Sequence, residues 1–190
     1  MGVPQTLLLG STTKYIVANC HCPCVVIRRP LSRGVSGGAA VLTRPRHVVM
    51  ALNDNEELGR AVVKWAVDNV LVMADRVTVV SCVDADYQKP LRRSCLNKFA
   101  EGIHSFKNEH KSAHLHMRSP IPDVHTQVLQ GSPGKVITEG IESAEPKVDL
   151  LIVGSRGLKG LRRLACGSVS TYFLDNVASP VCIVRRDLVA

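Results

Sequence analysis

Gly154-Ser155-Arg156-Gly157, then nine residues, then Gly167-Ser168-Val169-Ser170 make up the stretch of this chain best equipped for chemistry. The first group ends the apolar run Leu150-Leu151-Ile152-Val153, and the second opens a helical pattern. Glycines let a backbone approach an anion closely, and the first-turn amides of a helix lack intrahelical acceptors while carrying the positive end of its dipole. A phosphate suits such a place. The Ser168 hydroxyl would add a neutral donor and Arg156 a charged fork. Spacing alone leaves a second reading open, in which the glycines merely cap a helix and turn a loop.

Other reactive groupings carry less. Cys20-His21-Cys22-Pro23-Cys24 holds the ligand types of a zinc or copper site, but its place between a helix and a strand favours small packed residues, so no protein-bound metal is expected. His104, His110, His114 and His116 cluster near a loop and read as a solvated helix end. Gly131 to Lys135 resembles a Walker loop, yet Leu129 replaces its first glycine and Val136 its Ser or Thr. No nucleophile and base stand together, so efficient turnover is not expected and a weak ATPase is the catalytic alternative.

Positioning these residues falls to alternating strands and helices. Val48 to Leu52 has strand length; Asp54 and Glu57 have capping-box spacing; Leu58, Ala61, Val62, Trp65 and Val72 mark one helix face. Val77 to Val83 is a β-branched strand, followed by a helix with Leu91, Cys95, Phe99, Ile103 and Phe106 inward. Val124 to Leu129 reads as a strand, Ser132 and Pro133 as a cap and first turn, and Val136, Ile137, Ile141 and Ala144 as the next face. Leu150 to Val153, a helix over 168–178 and a strand from Val181 to Val184 complete the series. The pattern predicts an α/β fold with a five-stranded, open parallel sheet, Rossmann-like, sandwiched by helices, with ligands at the strands' carboxyl ends.

Part of this series occurs twice. GSTTKYIVANCHCPCVVIRR from Gly10 aligns without a gap with GSVSTYFLDNVASPVCIVRR from Gly167. Gly10, Ser11, Tyr15, Asn19, Pro23, Arg28 and Arg29 coincide with Gly167, Ser168, Tyr172, Asn176, Pro180, Arg185 and Arg186. The expected organisation is a helix-strand fragment of a preceding copy over 1–29, a Gly/Ser/Pro-rich linker over 30–45 and a full domain over 46–187.

The stretch DLLIVGSRGLKGLRRLACGSVSTYFLDNVASPVCIVRR, with its G-x-x-G, nine residues and G-S, resembles the universal stress protein family in its ATP-binding branch. RHVVMALNDNEELGRAVVKWAVDN is similar to that family's first strand and helix. The resemblance implies a regulatory stress-response module acting as a switch or scaffold, with ATP or AMP, with or without magnesium, as its ligand. It places adenine and ribose at the ends of the first two strands, on Ala51, Leu52, Asn53 and the Cys82 backbone. Phosphates would lie over Val153, Gly154, Gly157, Gly167, Ser168 and Val169, joined by Arg156 and Ser170. Asn53 departs from the family's aspartate; an amide offers ribose one acceptor and one donor where a carboxylate accepts twice. A non-binding dimerisation scaffold and a slow ATPase or adenylylating enzyme remain the alternatives. The resemblance also implies pairing through the last strand, Val181 to Val184, either with a second chain or in cis with Cys24 to Ile27.

The 190 residues allow one full domain and an appendage, and the 45% apolar and 21% charged composition is that of a globular protein. Six of the eight net positive charges fall in residues 1–46, which have no Asp or Glu, so the main domain is nearly neutral and nucleic acid is not an expected partner. No apolar run approaches the roughly 20 residues of a membrane span. Seven irregularly spaced cysteines point to reduced thiols rather than a disulfide framework. Together these favour a cytoplasmic protein with signalling partners of unknown identity; organelle import and myristoylation at Gly2 are the lesser readings.

Overall fold

The computed structural model describes residues 9–20, 22–28, 44–72, 74–111, 123–155 and 167–185. Its elements are α1 (Ser11–Asn19), β1 (Cys24–Val26), β2 (His47–Ala51), α2 (Glu56–Asn69), β3 (Arg76–Val83), α3 (Lys89–Lys111), β4 (Val124–Gln130), α4 (Pro133–Ser143), β5 (Leu150–Ser155), α5 (Ser168–Asn176) and β6 (Val181–Arg185). The sheet order is β1-β6-β5-β2-β3-β4. The five strands β2 to β6 run parallel, as the alternation of elements predicts. A sixth strand corrects the five-stranded expectation: β1 lies antiparallel on β6, with Cys24 opposite Ile183, Val25 opposite Cys182 and Val26 opposite Val181. The in-cis pairing anticipated for Cys24 to Ile27 is therefore formed over three residues.

Two apolar layers hold the sheet. Val48, Met50, Val77, Val79 and Ile152 point toward α2 and α3, while Val49, Val80, Leu151, Val153 and Ile183 point toward α4 and α5. The alternation follows from the two-residue period of a strand, and its near-continuous apolar character from burial on both faces. Met50, Leu151 and Phe173 are wholly buried, each contributing on the order of 2–3 kcal/mol of transfer free energy.

Helix starts show where local chemistry decided the outcome. The α2 cap is Asn55 rather than the expected Asp54: its side chain accepts from the Leu58 amide at 2.8 Å. Asn53 Oδ1 accepts from the Asn55 amide at 3.1 Å, an Asx turn that carries the chain one residue further before the helix can begin. Leu58, Val62, Val63 and Ala66 form the buried stripe of α2, and Val72 falls beyond its end, exposed. In α3 the inward face is Leu96, Phe99, Ala100 and Ile103; Leu91, expected inside, is 81% exposed.

The duplicated sequences fold alike. Both helices span nine residues behind a glycine cap, and Asn19 Nδ2 donates to Tyr15 O as Asn176 Nδ2 donates to Tyr172 O, each at 2.8 Å. Val17 joins the α5 side of the core, Lys14 pairs with Asp175 at 3.3 Å, and Arg185 donates to Ala18 O at 2.9 Å. The chain re-enters the described structure at Arg44, whose guanidinium clasps both Asp149 oxygens, while Arg46 clasps both oxygens of the buried Asp75. No helix among the described residues is long and apolar enough to cross a membrane.

Candidate functional site

Sheet order fixes where a cleft can open. The chain leaves β2 toward β3 and β4, then returns to place β5 on the other side of β2, and helices diverge at such a reversal. At the carboxyl ends of β2, β3 and β5 lies a cleft of about 680 Å³, closed on one flank by the start of α5. A volume of that order suits a small organic ligand.

Ten of the twelve residues singled out in the sequence line this one cleft: Ala51, Leu52, Asn53, Cys82, Val153, Gly154, Gly167, Ser168, Val169 and Ser170. The other two, Arg156 and Gly157, lie outside the described residues.

The start of α5 is its most chemically pointed wall. The first intrahelical bond runs from Thr171 N to Gly167 O at 3.0 Å, and the cap has no side-chain hydrogen bond. The amides of Ser168, Val169 and Ser170 stand ahead of that bond and find no acceptor within the helix. Among the described residues, a Cβ on Gly167 would meet nothing within 4 Å.

Gly154 has a different reason for its residue type. A Cβ there would stand 3.0 Å from Val62 Cγ2 and 3.2 Å from Leu58 Cγ, so its bareness lets α2 pack against the tip of β5. Gly154 thus lines the cleft and also meets the close packing of α2.

The strand tips supply polar groups of three kinds. Asn53 is exposed, and its side-chain Oδ1 accepts from Asn55 N at 3.1 Å. Ser81 is 1% exposed with an Oγ that has no hydrogen-bond partner among the described residues, an arrangement that costs free energy unless something else supplies the bond. Burial pushes the Cys82 thiol up to about 11, with Arg92 pulling weakly the other way, so near neutrality it is a protonated thiol and not a nucleophile. No histidine is among the lining residues.

Several lining residues were not assigned to this site from the sequence, among them Ser81, Asp84, Gln88, Arg92 and Gly131, the last weighed only as part of a Walker-like stretch. Gln88 Oε1 accepts from Asp84 N at 3.2 Å and holds the turn after β3. Gly131 has φ +121° and donates to Val83 O at 3.0 Å, a turn that requires glycine. Arg92 had a legible signal: it stands four residues before Leu96, on the stripe that continues through Phe99 and Ile103, so the helical period carries it to the inward side.

The family model described as the Universal stress protein family matches residues 45–185. Universal stress protein Sll1388 of Synechocystis sp. is 27% identical over 152 residues, covering 73% of this chain and 97% of that protein. Universal stress protein MJ0531 of Methanocaldococcus jannaschii is 36% identical over 63 residues, 33% of this chain and 36% of that protein, so this match spans about a third of the relative's length. Among solved structures, a universal stress protein in complex with cAMP superposes with a TM-score of 0.51 at 21% identity, over 75% of this chain and 98% of that one.

Proposed function

The chain belongs to the universal stress protein family, and from that we propose that its cleft binds an adenine nucleotide, ATP or AMP, and that the protein works as a ligand-responsive regulatory module. The observation carrying this reading is the start of α5: three first-turn amides without helical acceptors, beside a glycine where a Cβ would meet no described residue within 4 Å, at the edge of a cleft of about 680 Å³. Such a terminus suits a phosphate through both its donors and its dipole. The strand tips then take the nucleoside. Backbone groups at Ala51, Leu52 and Cys82 meet the base, the Nδ2 of Asn53 donates to a ribose hydroxyl, and the unpaired Ser81 hydroxyl is a further group awaiting a partner. Arg156 and Gly157, outside the described residues, are the further phosphate contacts the family resemblance implies. A related structure solved with cAMP supports the ligand class.

Regulation fits the site better than turnover. The lining residues include no histidine, and Cys82 holds its proton near neutrality. Nucleotide binding alters the face presented to signalling proteins; a slow ATPase is the alternative.

Isothermal titration with ATP and with AMP, each with and without magnesium, tests the reading. One nucleotide per chain with a matching thermal shift is expected. No heat and no shift at saturating nucleotide would leave a dimerisation scaffold in its place.

A further inference from the structure

Cys20, Cys22 and Cys24 bring three sulfur atoms within 4.8 Å of one another on the solvent side of the first repeat copy, away from the nucleotide cleft. The sequence explained them as small packed residues between a helix and a strand. The second copy shows what that explanation requires. Cys20 and Cys24 align with Val177 and Val181, which are 0% and 1% exposed, and Cys22 aligns with Ser179, whose hydroxyl donates to Val148 O at 2.9 Å. In the first copy Cys20 and Cys24 are half-buried, and Cys22 is exposed. Cys24 packs against the α5 side of the core, but packing does not account for the exposed Cys22 or for the mutual arrangement of the three sulfurs.

We infer that Cys20, Cys22 and Cys24 form a three-sulfur site for a soft, thiophilic metal ion, with Cu(I) the best fit. Three thiolates are the donor set that soft ions select. Three sulfurs bound to one ion at about 2.3 Å in trigonal geometry lie roughly 4.0 Å apart, so separations within 4.8 Å need shifts of about an ångström or less. Cys20 Sγ and Cys22 Sγ, now 3.0 Å apart, would open slightly, and Cys24 Sγ, which donates to Cys22 O at 3.4 Å, would turn from that carbonyl to the ion. Cu(I) is satisfied by three sulfurs, whereas Zn(II) normally takes four ligands.

The surroundings favour an anionic complex. Binding breaks three S–H bonds, forms three Cu–S bonds and releases three protons to solvent, with no change of oxidation state; the complex carries two negative charges. Arg185, anchored on Ala18 O two residues before Cys20, offsets part of that charge.

The test is anaerobic titration of the full chain, reduced with ascorbate, against Cu(I) held by the chromophoric chelator bicinchoninate. One Cu(I) per chain is expected to leave the chelator. Cys22→Ser, at an exposed position where the repeat already accommodates serine, should weaken that uptake at least about 100-fold, since loss of even an outer partner of a metal ligand costs up to that much. Cys95→Ser, elsewhere in the fold, should leave it unchanged. Failure of the full chain to compete with the chelator, undiminished uptake by Cys22→Ser, or an equal loss in Cys95→Ser would each overturn the assignment.

Discussion

Gly154 and Gly167 are both glycines of the candidate loop, yet they answer to different forces. A methyl group at Gly154 would press on Val62 and Leu58, whereas one at Gly167 would meet no atom of the described residues within 4 Å. Gly167→Val therefore leaves the fold intact while projecting two methyls into the space assigned to phosphate. Nucleotide affinity should fall at least about tenfold, equivalent to about 1.4 kcal/mol, with the melting temperature little changed. Retained affinity in a folded Gly167→Val protein, measured by titration calorimetry, would remove the α5 terminus from the site. Asn53 shows a further layer at this scale: one lone pair of its Oδ1 serves the turn into α2, so a ligand shares that oxygen with the backbone or takes the Nδ2 donor.

The elements hold these residues through contacts that are specific to the last carbon. Gly59 of α2 faces the ring of Phe99 on α3 so closely that any Cβ would overlap it. Gly59→Ala should cost about 1–3 kcal/mol, the usual penalty for overpacking, read as a lower denaturation midpoint. An unchanged midpoint would mean that the α2–α3 contact is looser than described. The existence and order of the elements were legible in the sequence because strand runs such as Leu150 to Val153 and the glycine-led α5 each obey one strong local rule. Exact phase was not. Leu91, Cys95 and Phe99 suggest one face of α3, and Leu96, Phe99 and Ile103 another nearby; only the neighbouring sheet and α2 decide between them. The α2 cap was misplaced for a similar reason, since Asn53, Asp54 and Asn55 are all competent caps and the Asx turn selects the last. Ser81 gave no warning because a serine in a β-branched strand reads as a simple interruption, and its missing partner is visible only in three dimensions.

The molecule as a whole resolves the problem of its own open edge. In the parallel sheet β6 is a terminal strand, and exposed strand edges recruit other chains. Here β1 covers it over Cys24–Val26, reinforced by the Lys14–Asp175 pair and the Arg185 bond to Ala18 O. The duplicated sequence foretold this pairing because the second copy already ends in a strand of the same composition. Removing residues 1–43 retains Arg44 with its Asp149 clasp and spares the 45–185 segment matched by the family, while uncovering β6. The shortened protein should shift toward a dimer in light scattering after size exclusion, relative to the full chain at equal concentration. An unchanged mass distribution would mean that β1 does not control self-association.

The central claim concerns three backbone amides, and it is most directly tested at those amides. In a 15N-labelled sample titrated with AMP, the signals of Ser168, Val169 and Ser170 should move furthest, accompanied by Ala51, Leu52 and Asn53, while His47 and Asp75 at the opposite end of the sheet stay in place. If saturating AMP leaves Ser168, Val169 and Ser170 where they were, the start of α5 does not hold the phosphate.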